Sequence, residues 1–104
     1  MATVIRPETP TFSDASALTI TLGGTSQTLF PADEGRVYFV VQNHSSASLW
    51  VEFEGEAAVQ ASPSIVIGVG VGMVFEGFAC PSSEITIIGP TTGQSFTAKQ
   101  GSVG

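Results

Sequence analysis

Positive charge is scarce in this sequence: Arg6, Arg36 and Lys99 stand against nine carboxylates, giving a net charge of −6. Nucleic acids and anionic membranes are both held by clustered Lys and Arg, so neither is expected as a partner. Charge of either sign is thin, at 12% of residues against about 25% in a typical domain. The polar positions go to Ser, Thr, Gly and Gln instead. A disordered chain shows the opposite balance, low hydrophobicity with high charge. Cys80 is the one cysteine, which excludes an intramolecular disulfide and a cysteine-rich zinc site. Between Ala79 and Pro81 it reads as a small buried apolar residue. No apolar run reaches membrane-spanning length. The start, MATVIRPETP, has no apolar core behind a basic residue and does not read as a secretory signal. The sequon Asn43-His44-Ser45 therefore reads as an accidental match.

Reaction chemistry is thin as well. Metal sites want several His, Cys or carboxylate ligands at short spacing, and His44 is the single histidine, in a turn beside serines. A serine nucleophile needs a base and an orienting acid, and no motif marks any serine. Glu52 and Glu54 could be paired as glycosidase carboxylates, but with Glu56 they read as a solvated or partner-facing edge. The spacing Gly68-x-Gly70-x-Gly72 lacks the order, the lysine and the helix of a phosphate loop. It reads as a bulged or closely approached strand pair, or as a tight turn. No enzyme activity, cofactor or metal is expected.

What is present is strand chemistry. Residues 37–41 and 49–53 are rich in β-branched and aromatic side chains, and the polar patch 43–48 lies between them. This predicts an antiparallel hairpin over residues 36–54. Leu49, Val51 and Phe53 share one face, with Trp50, Glu52 and Glu54 on the other. Val37, Phe39 and Val41 share a face, yet Tyr38 and Val40 opposite them are also apolar. That strand is expected to be central, or covered on its outside by another chain. Residues 17–22 alternate most cleanly, with Leu18, Ile20 and Leu22 in phase. Further strands are predicted at 27–30, 64–69, 71–78, 84–88 and 94–99, the residues after 99 having nothing to bury. Gly23-Gly24, Gly89-Pro90 and Thr91-Thr92-Gly93 supply turns.

About seven or eight short strands without a helical period belong to a β-sandwich or a small closed barrel. An eight-stranded jelly-roll sandwich leads. A seven-stranded immunoglobulin-like sandwich is the alternative, without its Cys…Trp…Cys support. Length allows one domain, divided into an N-terminal segment 1–16, a sandwich 17–101 and a tail 102–104. The segment 1–16, with Pro7 and Pro10, reads as an extended arm or as a frayed end. The net acidity either keeps the molecule soluble or matches a basic partner face through Glu52, Glu54 and Glu56.

Arg36, Tyr38, Phe39, Gln42, Asn43 and Ser45 are followed by Trp50 and a glycine-rich return. The chain closes on Gly93, Phe96, Ala98 and Gly101, a G-x-x-F-x-A-x-x-G pattern. This arrangement resembles small β-sandwich structural proteins encoded in the head-gene regions of tailed bacteriophages. The resemblance covers residues 18–101, and alternating Val and Gly replace the family's usual glycine/proline turn. It implies an all-β antiparallel sandwich, jelly-roll-like, acting as a virion structural protein. The expected role is a capsid decoration (cement) protein, a homo-oligomer (trimer or dimer) on the outside of a major capsid protein shell, made in the host cytoplasm. Head-fibre, collar or tail components and carbohydrate-binding adhesin modules are the alternatives. In the decoration role Val4, Ile5 and Phe12 would dock the arm, and Tyr38, Trp50, Glu52 and Glu54 would make lateral contacts. In the adhesin role Tyr38 and Trp50 would sit side by side to stack on sugar.

Overall fold

The computed structural model describes residues 11–103, which are all-β apart from one turn of 3-10 helix at Gly77–Ala79. Eight strands follow in chain order: β1 (Thr11–Asp14), β2 (Gln27–Phe30), β3 (Arg36–Asn43), β4 (Leu49–Glu52), β5 (Ile65–Ile67), β6 (Gly72–Glu76), β7 (Ile85–Ile88) and β8 (Phe96–Ser102). They form two four-stranded antiparallel sheets, ordered β1-β8-β3-β6 and β2-β7-β4-β5. Every connection except β4 to β5 passes from one sheet to the other.

Strand alternation decides what the two sheets share. Phe39 and Val41 of β3, Leu49 and Val51 of β4, Ile67 of β5, Ile85 and Ile87 of β7, and Ala98 of β8 are withdrawn from solvent. They belong to one apolar cluster, so the sheets face each other as a sandwich. Each large side chain buried this way contributes about 1.5–3 kcal/mol. Towards one end the cluster becomes aromatic. Phe39 stacks on Phe75 with centroids 5.2 Å apart, and Phe53 meets both rings edge-on. β3 lies between β8 and β6, as the apolar character of both its faces led us to expect.

The expected hairpin over residues 36–54 does not form. β3 and β4 lie in different sheets, and residues 44–48 carry the chain across the gap. A hairpin and an arch need the same strands and the same turn chemistry; the buried side chain of Asn43 decides between them. Its amide donates to the carbonyls of Ala47 (2.8 Å) and Ile67 (3.0 Å), and its oxygen accepts from the Ser45 N–H and hydroxyl. Its backbone N–H bonds the Val71 carbonyl, and its carbonyl accepts from Gly70. One residue thus fixes both the β3–β4 and the β5–β6 crossings. The alternating Val and Gly are the second of these, a tight turn closed by Val71 N–H on Gly68 O, with Gly70 at φ 75°.

Residues 17–22 are not a regular strand. They cross from β1 to β2 along the segment 93–96, to which they make a single bridge, Thr19 with Ser95. Ile20 plugs the end of the core, but Leu18 and Leu22 are exposed because a crossing chain presents no continuous inner face. The missing strand is made up by β1, within the segment expected to be an arm. Thr11–Asp14 pairs with β8, and Ala15 joins the core. Val4 and Ile5 lie outside the described residues. β8 runs on to Ser102, beyond the expected end of its strand at 99, because β1 and β3 pair with it from both sides.

Replacing Asn43 by Ala takes the side-chain donor from the buried Ile67 carbonyl, while the Ala47 carbonyl keeps Ser45 and Gln94 as donors, so a loss of roughly 1–3 kcal/mol in unfolding free energy is expected. It should be read as a lower urea midpoint with an unchanged slope. Gln42→Ala, at the exposed neighbouring position, should stay within about 0.5 kcal/mol of the parent.

Candidate functional site

With Phe39 and Val41 inward, the pleat sends Tyr38 and Val40 to the outside of the first sheet. The registers place them in two rows across it, Phe12–Gly101–Tyr38–Glu76 and Asp14–Lys99–Val40–Val74. Gly101 puts no side chain between its neighbours, and the rings of Phe12 and Tyr38 meet edge to face at 5.7 Å. Such a pair contributes about 0.5–1.5 kcal/mol beyond its buried area. Phe12 is nevertheless 60% exposed and Val74 54% exposed, so apolar side chains stay open to solvent on this face, in the same rows as Asp14, Lys99 and Glu76. The ion pair of Lys99 with Asp14, at 2.6 Å, borders it in open solvent and contributes at most about 1 kcal/mol.

The outside of the second sheet is organised differently. Trp50 sits between Ile88 and Val66 in the ladder, and Glu52 stands opposite Thr86. The long β4–β5 connection folds back there. Thr86 Oγ1 donates to the Glu56 carbonyl at 2.7 Å, and the N–H of the buried Ala58 donates to Ser26 Oγ at 2.9 Å. β4 ends at Glu52, so Glu54 does not continue its face as expected. Instead Phe53–Glu56 close a turn in which Glu54 (φ 65°) and Gly55 (φ 74°) are both left-handed. The Glu54 N–H donates to Ser83 Oγ at 2.7 Å.

Of the expected contact residues, the fold brings together Phe12 and Tyr38 on one outer face. Trp50 and Glu52 share the opposite outer face, Glu54 occupies a turn, and Val4 and Ile5 lie outside the described residues. The expected side-by-side arrangement of Tyr38 and Trp50 is overturned, since their strands belong to different sheets. A flat sugar-stacking platform made of both rings is therefore not assembled. Sequence reading missed Val74 and the role of Gly101. The only signal for them was the apolar outer face of β3, which needed to know its neighbours.

The two ends of the sandwich are polar and self-satisfied. At one end Gln94 donates to Ser45 Oγ and to the carbonyls of Ala47 and Ser48, while its oxygen accepts from Thr91 N–H. These loops border an open cavity of about 290 Å³ lined by residues such as Ser46, Thr92 and Ser95. His44 is exposed beside it, its Nε2 2.8 Å from Thr97 Oγ1. At the other end Arg36 is buried. Its guanidinium donates to the carbonyls of Pro31, Pro81 and Ser83 and to Gln100 Oε1, and it lies over the Phe30 ring. Burial pulls its pKa below the ordinary value and pushes the Cys80 thiol up, which leaves that sulfur a poor nucleophile. Among the described residues no three His, Cys, Asp or Glu side chains converge as metal ligands would.

Comparison with protein-family models, curated proteins and solved structures gives no match.

Asp33, beside Arg36, accepts from the Ser102 hydroxyl at 2.6 Å and from the Gly35 N–H at 2.9 Å. The Ser102 bond is the largest of the effects that hold its carboxyl below the ordinary range. A depressed folded pKa stabilises the fold above the unfolded value and is lost as pH falls through the folded one. Ser102→Ala should therefore cost stability at neutral pH, and the gap to the parent should narrow below pH about 4. Urea midpoints measured across that range check it. A gap independent of pH would mean that the carboxylate is not its source.

Proposed function

We propose that the chain is a virion structural protein of the tailed-phage kind, a jelly roll that decorates the outside of a shell of major capsid protein. The jelly-roll reading is supported by the strand order. Eight strands alternating between β1-β8-β3-β6 and β2-β7-β4-β5, with one same-sheet connection, follow the double Greek-key path of that fold. The decoration reading is supported by the sequence resemblance, and the observation that carries it is the outer face of the first sheet. There Phe12 and Tyr38 lie in one row and Val40 and Val74 in the next, with Phe12 and Val74 exposed and Tyr38 and Val40 half-buried.

The mechanism is adhesion without bond-making. Aromatic anchors on a preordered face lose little freedom on docking and contribute most of an interface's energy. Residues 1–10, with Val4 and Ile5, would reach a neighbouring subunit from the strand that carries Phe12. Many modest contacts of this kind, repeated over a shell, hold collectively through multivalency. A head-fibre, collar or tail role would use the same chemistry in far fewer copies. The sugar-binding role has lost the paired platform on which it rested.

Copy number in purified particles separates these readings. A number comparable to that of the major capsid protein is expected, and a few copies at a vertex would move the chain to the collar or tail. The double variant Phe12→Ser, Tyr38→Ser should weaken shell binding about thirtyfold or more, as for the loss of an interface anchor. Trp50→Ser should leave it within about threefold, since it lies on the other face.

A further inference from the structure

We propose that β6 is the seat of a two-fold dimer, in which it pairs antiparallel with β6 of a second copy and Val74 faces Val74 across the axis. β6 is an outer strand of its sheet and, among the described residues, pairs only with β3. The bond from Asn43 N–H to Val71 O fixes the phase of that ladder. Its hydrogen-bonded pairs then fall at Val41/Met73 and Phe39/Phe75, so the N–H and C=O groups of Gly72, Val74 and Glu76 point to the open edge.

The usual guards of such an edge are missing. β6 contains no lysine and no proline, and no charged residue occurs between Glu56 and Glu76. Val66, Val69, Val71 and Val74 are all about half exposed along β5, β6 and the turn between them. Met73 and Phe75 pack on the core from the same strand without being fully covered.

Charge selects a second copy as the occupant. In a chain of net charge −6, self-association is opposed wherever carboxylates meet, and this edge is the stretch that avoids them. With the axis at Val74, Met73 lies opposite Phe75 and Gly72 opposite Glu76. The strand's one carboxylate therefore faces glycine and never its own copy. Val74 exchanges both backbone bonds with its twin, and Gly72 and Glu76 do the same with each other. The result is one continuous sheet, with β1 at each far edge. The contact is isologous and closes at two, whereas pairing β6 with β1 of another copy would be heterologous and give a ring or an open filament. This gives the homo-oligomer of the decoration reading a definite form, but it rests on the edge geometry alone.

The test uses the purified full chain without any shell, with mass measured by light scattering or sedimentation. The parent should be a dimer at micromolar concentration. Val74→Lys and Val74→Glu each place like charges across the axis, and each should raise the dimer dissociation constant at least tenfold while keeping the parent's circular dichroism. Mixing the two variants should restore a dimer of one copy of each. Hydrogen exchange of the parent gives a readout free of substitution: the Gly72, Val74 and Glu76 amides should gain protection as concentration rises. A monomeric parent, variants as dimeric as the parent, or a mixture no better than its components would each overturn the proposal. A monomer would leave shell binding through Phe12 and Tyr38 untouched, so the two proposals fail separately.

Discussion

A sandwich whose chain changes sheet at almost every strand end must find partners for the backbone groups that leave a ladder at each crossing. Three buried side chains do this. Asn43 and Gln94 hold the carbonyls of residues 47, 48 and 67 at one end, and Arg36 holds those of residues 31, 81 and 83 at the other. An unpaired buried carbonyl costs about 1–3 kcal/mol, so an apolar side chain at any of the three positions would disfavour the crossing it serves. The apolar cluster between the sheets supplies most of the stabilisation; the polar residues decide which of several apolar packings the chain adopts.

Arg36 shows how far that division goes. A buried cation is expensive without compensation, and its partners are carbonyl oxygens and a glutamine, with the Phe30 ring beneath. The carboxylate of Asp33 is near enough to favour its charge but is engaged by Ser102 and Gly35. The charge is thus absorbed by dipoles already fixed by the fold. It leaves the outer faces of the sheets nearly free of cations, Lys99 excepted.

The same pleat that fills the core leaves apolar groups outside it. Tyr38 and Val40 are outward because Phe39 and Val41 are inward. Gly101 opens the space in which Phe12 reaches Tyr38, and Val74 carries the apolar character to the open edge. A face and an edge of this kind, on a scaffold whose ends are already satisfied, suit a protein that acts by contact. The left-handed Glu54 is held by its turn and by Ser83.

Period-two alternation told from the sequence alone where most strands lie and which side chains they turn inward. Phe39, Val41, Leu49, Val51, Ile85, Ile87, Phe96 and Ala98 are all buried in the phase their spacing demands. It also fixed the all-β class, because no stretch carries a helical period. Alternation carries no information about partners, however. β1 has four exposed residues and no pattern of its own, and it is a strand only because β8, from the far end of the chain, lies beside it. Residues 18–22 have the better pattern and are not a strand, because they are used up in crossing between sheets. Whether β3 and β4 formed a hairpin or an arch, and therefore whether Tyr38 and Trp50 shared a face, was decided by hydrogen bonds of Asn43 to residues 4 and 24 positions away. Local spacing sets the face of each side chain; only long-range pairing sets which face of the molecule that becomes.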